Sequence, residues 1–344
     1  MYDFISYFMS RLYNGLNKNQ VQESKLMRAQ FMRLLNEKSL FEEANIDNDD
    51  YNDYVLKTLN SIDNQLIKKF AFNEINTAAL QDVNLPWFKM DISFQLLSPY
   101  ISKDDTVFYV NDNPIKKDVV FKLPYISPSS MKGYLRNAAY YYLNEKFSYS
   151  SISQDEKINY LMLILLLFGN YHGESNILSV PYGLAKNDKI LEKGFKDRIK
   201  EYFDTEDTEN LALLRGRLVI TPTFFDEGKG NLIKYEVLNP HIRNRRDGSG
   251  SVPIIFEAVR EGSTGKFSLL YFPYNISSKL TEEEKIYESD QMFKMINVFL
   301  DYLKKLGIGS KRKSGYGKIN IISLETEKAV KWQLNLNPKN EVVQ

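Results

Sequence analysis

Cysteine is absent from the 344 residues, which excludes disulfides and every thiolate-based chemistry. Histidine is nearly absent: His172 and His241 are the only two, too few for a zinc site or a histidine acid–base pair. Charge of one sign is missing as well. Lys and Arg number 45 against 44 Asp and Glu, so the net charge of +1 gives no overall attraction to a polyanion, and any such binding must come from local clusters. Long apolar runs are lacking too. The longest, residues 160–168, is far shorter than the roughly 20 residues that span a bilayer and reads as a buried helix. The first 16 residues carry Asp3 and Arg11 in an amphipathic pattern rather than the uniform apolar core of a signal peptide. These absences predict a cytoplasmic chain with no membrane contact and no resident metal or other cofactor.

What is present is a hydrophobic fraction of 43% with 13% aromatics, enough for a sizeable core. Residues 1–85 read as a helical N-terminal region. Phe4, Phe8, Leu12 and Leu16 form one stripe, and Tyr51, Val55, Leu59, Ile62, Leu66 and Phe70 a second at spacings of three and four. The acidic stretch at 45–50 lacks the spacing and glycine of a calcium loop and reads as a solvated helix start. Pro86 marks the boundary, and from Phe88 the period becomes two: Phe88, Met90, Ile92, Phe94 and Leu96 alternate with polar residues, a half-buried strand. A polar loop over 98–119 follows. Strands are predicted at 120–125, 216–225, 234–238, 252–259, 265–274 and 318–324, with 252–259 and 265–274 read as a pair joined by a Gly-containing turn. Helices are predicted after residue 128, at 156–168 and at 281–306. The whole is an α+β chain with an antiparallel sheet, divided as 1–85, 86–330 and a 331–344 tail.

Three segments carry candidate chemistry. The first, Leu-Pro-Tyr-Ile-Ser-Pro-Ser-Ser-Met-Lys-Gly-Tyr-Leu-Arg at 123–136, runs from a strand end into a helix start. Pro128 keeps Ser127 out of the α region, and Ser129 and Ser130 are placed to accept from the first free helix amides. Lys132 and Arg136, four apart, share a face beside that helix start, a setting that suits phosphate. An ordinary Ser-capped helix with surface cations fits the same residues. The second is Gly-Ile-Gly-Ser-Lys-Arg-Lys-Ser-Gly-Tyr-Gly at 307–317. Its four glycines leave little bulk along the backbone, so a polyanion could reach the amides while Lys311, Arg312 and Lys313 neutralise phosphates and Tyr316 offers a stacking face. The third, the loop at 239–250, contains Arg243, Arg245 and Arg246, either a third contact or a solvated face.

The first segment, then Leu-Phe-Gly-Asn at 167–170, then the glycine-rich loop, in that order, resemble the RAMP superfamily of CRISPR-Cas proteins. The family forms are Ile-Pro-x-Ser-Ser-Leu-Lys-Gly-x-Leu-Arg and a terminal loop ending in Gly-Tyr-Gly. Here Ser127-Pro128 stands where the family has Pro followed by a small residue. The segment from 237 to 274, with Asn-Pro-His at 239–241, looks most like the sixth subunit of the Cmr group. The resemblance implies a ferredoxin-like (RRM-like) core, crRNA and target RNA as ligands, other Cas subunits of a type III effector complex as partners, and a part in antiviral defence. It also implies one catalytic candidate, because backbone subunits of such complexes cut target RNA with an aspartate in Asp-x-Pro. Asp112-Asn113-Pro114 lies at similar spacing here, with Asp104 and Asp105 nearby. It would hold a divalent ion such as Mg if the chain is a metal-dependent endoribonuclease, or it only initiates a turn. A crRNA-processing ribonuclease, drawing on His241, Tyr316 and the lysines, is a further alternative.

Overall fold

The computed structural model describes residues 75–103, 113–118, 123–148, 152–169, 188–205, 214–226, 232–238 and 253–329. The helical stripes of the first 70 residues, Asp104, Asp105, Asp112, His172, His241, Arg243, Arg245, Arg246 and the 331–344 tail lie outside them. In chain order the elements are β1 (Phe88–Leu96), β2 (Tyr125–Ile126), α1 (Pro128–Ser148), α2 (Gln154–Phe168), α3 (Lys189–Phe203), β3 (Leu218–Ile220), β4 (Thr223–Asp226), β5 (Ile233–Leu238), β6 (Ile254–Val259), β7 (Thr264–Tyr271), α4 (Glu282–Leu306) and β8 (Ile319–Lys328).

The alternation read at β1 is real. Phe88, Met90, Ile92, Phe94 and Leu96 are all buried, and the strand lies at the centre of the sheet, antiparallel to β7 on one side and to β8 on the other. β7 in turn pairs with β3 and β4, and β4 with β2. The order β4-β7-β1-β8 places the last strand beside the first and crosses over through α1 and α4, which is the ferredoxin-like arrangement the sequence implies. Both helices lie against the buried face of β1. Phe88 stacks on Tyr271 and meets Phe293 of α4 edge-on at 5.3 Å, and Tyr142 of α1 meets Phe299 and Tyr302 of α4. Burial of each such side chain contributes about 1.5–3 kcal/mol before entropy is counted.

Capping fixes the helix ends. Thr281 and Glu284 form a reciprocal capping box at the start of α4, and Ser153 and Glu156 do the same for α2. Gly307 ends α4 with φ +74°, a conformation that favours glycine.

Four expectations need correction. Residues 216–225 form not one strand but two, because Pro222 has no amide for the ladder. The Thr221 hydroxyl instead accepts from the Ser268 amide at 2.8 Å. Strands β6 and β7 do not pair with each other: β6 joins β5 in a separate two-stranded sheet while β7 enters the main one. Gly262, at φ +84°, makes the turn between them, but a turn does not decide which edge each strand finds. Helix α3 has no counterpart in the sequence reading. Its apolar stripe of Leu191, Phe195 and Ile199 is narrow and lies among charges, yet all three are buried. At 75–84 the chain forms one short 3-10 turn, not an α-helix, and packs Ile75 and Leu80 around Trp87.

The sheet face opposite the helices departs from an RRM in chemistry. Its β1 and β7 positions are Lys89, Asp91, Ser93 and Gln95 opposite Leu270, Ser268, Lys266 and Thr264, none of them aromatic. Asp91 pairs with Lys89 at 2.9 Å and accepts from the Ser268 hydroxyl. A stacking platform of the RRM kind is therefore missing from these positions of the central strands.

Candidate nucleic-acid interface

The start of α1 is built by Ser127, not by Ser129 and Ser130 as the sequence suggests. The Ser127 carbonyl accepts the first helical bond from the Met131 amide at 3.0 Å, and its hydroxyl accepts from the Ser130 amide at 3.2 Å. Pro128 occupies the first helical position, where its missing N–H costs nothing. The Ser130 hydroxyl receives a bond from Ser127 at 2.8 Å, and the exposed Ser129 hydroxyl lies 3.1 Å from the same oxygen.

Lys132 reaches from α1 to β3, where its ammonium donates to the Leu218 carbonyl at 3.0 Å. Burial, followed by the like charges of Arg215 and Arg136, pushes its pKa down to about 8. The cluster thus has three cations, and the third was invisible in the sequence. Arg215 sits in no motif and is carried there by backbone packing. Gly169, at φ +79° after α2, makes an antiparallel bridge with Arg215, and a Cβ on Gly169 would lie 2.4 Å from the Leu214 carbonyl oxygen. A Cβ on Gly216 would lie 2.3 Å from the Phe168 carbonyl carbon. The Leu-Phe-Gly stretch thereby presses the end of α2 against 214–217 and presents Arg215 beside Lys132. Between Lys132 and Arg136, Gly133 has nothing within 4 Å of where a Cβ would be.

The next residue inward, Arg217, serves the fold. It is buried, and its guanidinium binds Glu288 at 2.6 Å, the Tyr202 hydroxyl at 2.8 Å, the Tyr271 hydroxyl at 3.1 Å and both side chain and carbonyl of Asn275.

The glycine-rich loop differs from its sequence reading in one respect. Its amides turn inward: Gly317 donates to Pro99, Ser310 to Ile101, Ile308 to Gly317, Ser314 to Lys311 and Gly315 to Arg312. The glycines allow this closeness. A Cβ on Gly317 would sit 1.7 Å from the Ile308 carbonyl oxygen, and one on Gly309 2.6 Å from the Ile101 oxygen. These five engaged amides are not offered to a phosphate, and the loop presents side chains. Lys311, left-handed at φ +55°, and Lys313 are exposed, and Arg312 is half-buried. Tyr316 is half-buried, and its hydroxyl donates to Glu236 of β5 at 2.9 Å. Burial and then the Glu236 carboxylate raise its pKa.

The segment after Asp112 is firmly anchored. Lys117 and Glu257 form a buried ion pair, Glu257 also accepts from the Ile115 amide at 3.1 Å, and the Asn113 side chain donates to the Ile255 carbonyl. Among the described residues no three of His, Cys, Asp or Glu gather as metal ligands, and no helix is long and apolar enough to cross a membrane.

A ferredoxin-like α+β domain with a Ser-Pro-Ser-Ser helix start, a Phe-Gly bridge and an inward-tied glycine-rich loop defines a narrow class. A model of the RAMP superfamily matches residues 93–320, well over half of the chain, and the chain belongs to that superfamily. Among solved structures, a type III-B Cmr-β complex bound to cognate target RNA contains a chain similar at 15% identity, with 91% of this chain and 79% of that chain covered and a TM-score of 0.41. No curated protein matches.

Proposed function

We propose that this chain is an RNA-binding structural subunit of a type III CRISPR-Cas effector complex, holding crRNA and target RNA beside other Cas subunits in the cytoplasm, as part of antiviral defence. The sixth subunit of the Cmr group is the particular position its 237–274 segment favours. The observation that carries the reading is the convergence of Lys132, Arg136 and Arg215. A phosphodiester placed beside this desolvated ammonium would offset the like charges of Arg215 and Arg136 that act on it. Phosphate contacts position a strand without reading it, as suits a subunit whose guide varies in sequence.

The test is the salt dependence of RNA affinity for the purified chain. Replacing Lys132, Arg136 and Arg215 together by Ala is expected to reduce the slope of log affinity against log salt by about 2, roughly 0.7 per lost single-strand phosphate contact. The loss should be equal for unrelated RNA sequences. Replacement of Lys311, Arg312 and Lys313 is expected to reduce the slope as well. An unchanged slope in the first variant, with its unfolding transition intact, would remove the cluster from the RNA path.

A further inference from the structure

We propose that Tyr274 is the floor of a base-stacking subsite, on which an unpaired base of a single-stranded polynucleotide lies while the adjoining phosphates meet Arg215 and Lys132. This rests on the RNA-binding reading above and names the part of the strand that the site takes. Tyr274 stands in the turn after β7, and the residue is 48% exposed. Its hydroxyl donates to the Arg215 carbonyl at 2.7 Å, so the ring is tied by its edge to the residue that supplies the third cation.

The mounting on both sides is rigid. Arg217 clamps the neighbouring Asn275 through its side chain at 2.6 Å and its carbonyl at 3.2 Å, and the Phe272 amide donates to the Arg217 carbonyl at 3.0 Å. Arg215 is fixed from behind by its bridge to Gly169. An exposed aromatic ring that is already immobilised loses little freedom when a base covers it. A ring beside cations is the pairing that holds single strands, with stacking for the base and charge for the backbone. The β1 and β7 positions on the sheet face opposite the helices carry no aromatic, and Lys89, Ser268 and Leu270 among them are buried, so Tyr274 at the end of β7 is the exposed ring on offer beside the cations.

The experiment measures anisotropy of the full chain with a short fluorescein-labelled oligouridylate and with the same oligomer carrying abasic sugars. Tyr274→Ala is expected to weaken binding to the oligouridylate by roughly 5- to 100-fold while the salt slope stays unchanged. Tyr274→Phe, which keeps the ring, should retain most of the affinity. On the abasic oligomer, wild type and Tyr274→Ala should bind alike. Wild-type affinity in Tyr274→Ala, together with weakened binding in Arg215→Ala, would overturn the stacking subsite and leave the RNA reading standing. Equal losses on the base-bearing and abasic oligomers would also overturn it, since the residue would then only position Arg215. Release of a neighbouring subunit without any change in RNA affinity would reassign the ring to a protein partner. Absence of salt-dependent binding by the wild type would overturn both readings together.

Discussion

The two basic regions use their glycines and their cations in opposite ways. In the loop at 307–317 three of the four glycines serve close packing, since Gly307, Gly309 and Gly317 each have backbone or ring atoms where a Cβ would go; Gly315 has open space but a φ of +91°, and Lys311 and Lys313 stand exposed. At the start of α1 the arrangement is inverted. Gly133 has open space around it and serves no packing, whereas Lys132 is half-buried and chemically perturbed. A motif glycine next to cations is therefore not one kind of evidence. At Gly307, Gly309 and Gly317 it reports on the protein's own packing, and at Gly133 packing gives no reason for it.

The largest expected effect would break the loop side of this comparison. Gly317→Ala puts a Cβ against the Ile308 carbonyl at a positive φ and should destabilise the fold by roughly 3–5 kcal/mol, read by urea or thermal unfolding. A variant as stable as the wild type would mean that the loop can open, and its amides would again be candidates for phosphate.

A smaller effect concerns the perturbed ammonium. Lys132 has its pKa lowered from 10.5 to about 8 by burial and two like charges. Between those values the folded state binds fewer protons than the unfolded one. The charged form is thus a penalty on folding below about pH 8, and that penalty is relieved as pH rises through the window. RNA affinity should run the other way, falling as pH rises through about 8 because the phosphate needs the protonated amine. Lys132→Arg should flatten that profile, because a guanidinium stays charged throughout the window. A profile that stays sloped in Lys132→Arg would assign the titration to another group.

The smallest effect tests the helix glycine. Gly133→Ala should stabilise the fold by about 0.5–1 kcal/mol, since nothing crowds the new methyl and helix propensity favours it. If a strand passes over this face, RNA affinity should fall at the same time. A gain in stability with unchanged affinity would place the RNA elsewhere on the cluster.

These contrasts also show what could be read from the chain. The period-two pattern of Phe88, Met90, Ile92, Phe94 and Leu96 and the long stripe of α4 were legible because each face of those elements meets one environment. The order of the three motifs was legible because specific backbone conformations and packings demand specific residues. Arg215 and Tyr274 were not legible. Neither has a local pattern, and only the Gly169 bridge and the turn after β7 bring them to α1 and to each other. The capping serine was misplaced by two or three positions because four residues, Ser-Pro-Ser-Ser, offer three hydroxyls, and only the fixed φ of Pro128 at the first helical position selects Ser127. The docking of the Gly317 and Ser310 amides was hidden because their acceptors, Pro99 and Ile101, lie about two hundred residues earlier.

The central position of β1 has a consequence for how the molecule comes into being. Both neighbours of the strand, Thr264–Tyr271 and Ile319–Lys328, lie far downstream in the chain. During synthesis this strand leaves the ribosome long before either partner exists, and the pairings that enclose it span a long sequence separation. Until those two segments have been made, both edges of Phe88–Leu96 in a nascent chain lack the partners they have in the fold. A chain truncated just before β8 would leave one whole edge of Phe88–Leu96 without its partner and should aggregate rather than fold into a smaller domain.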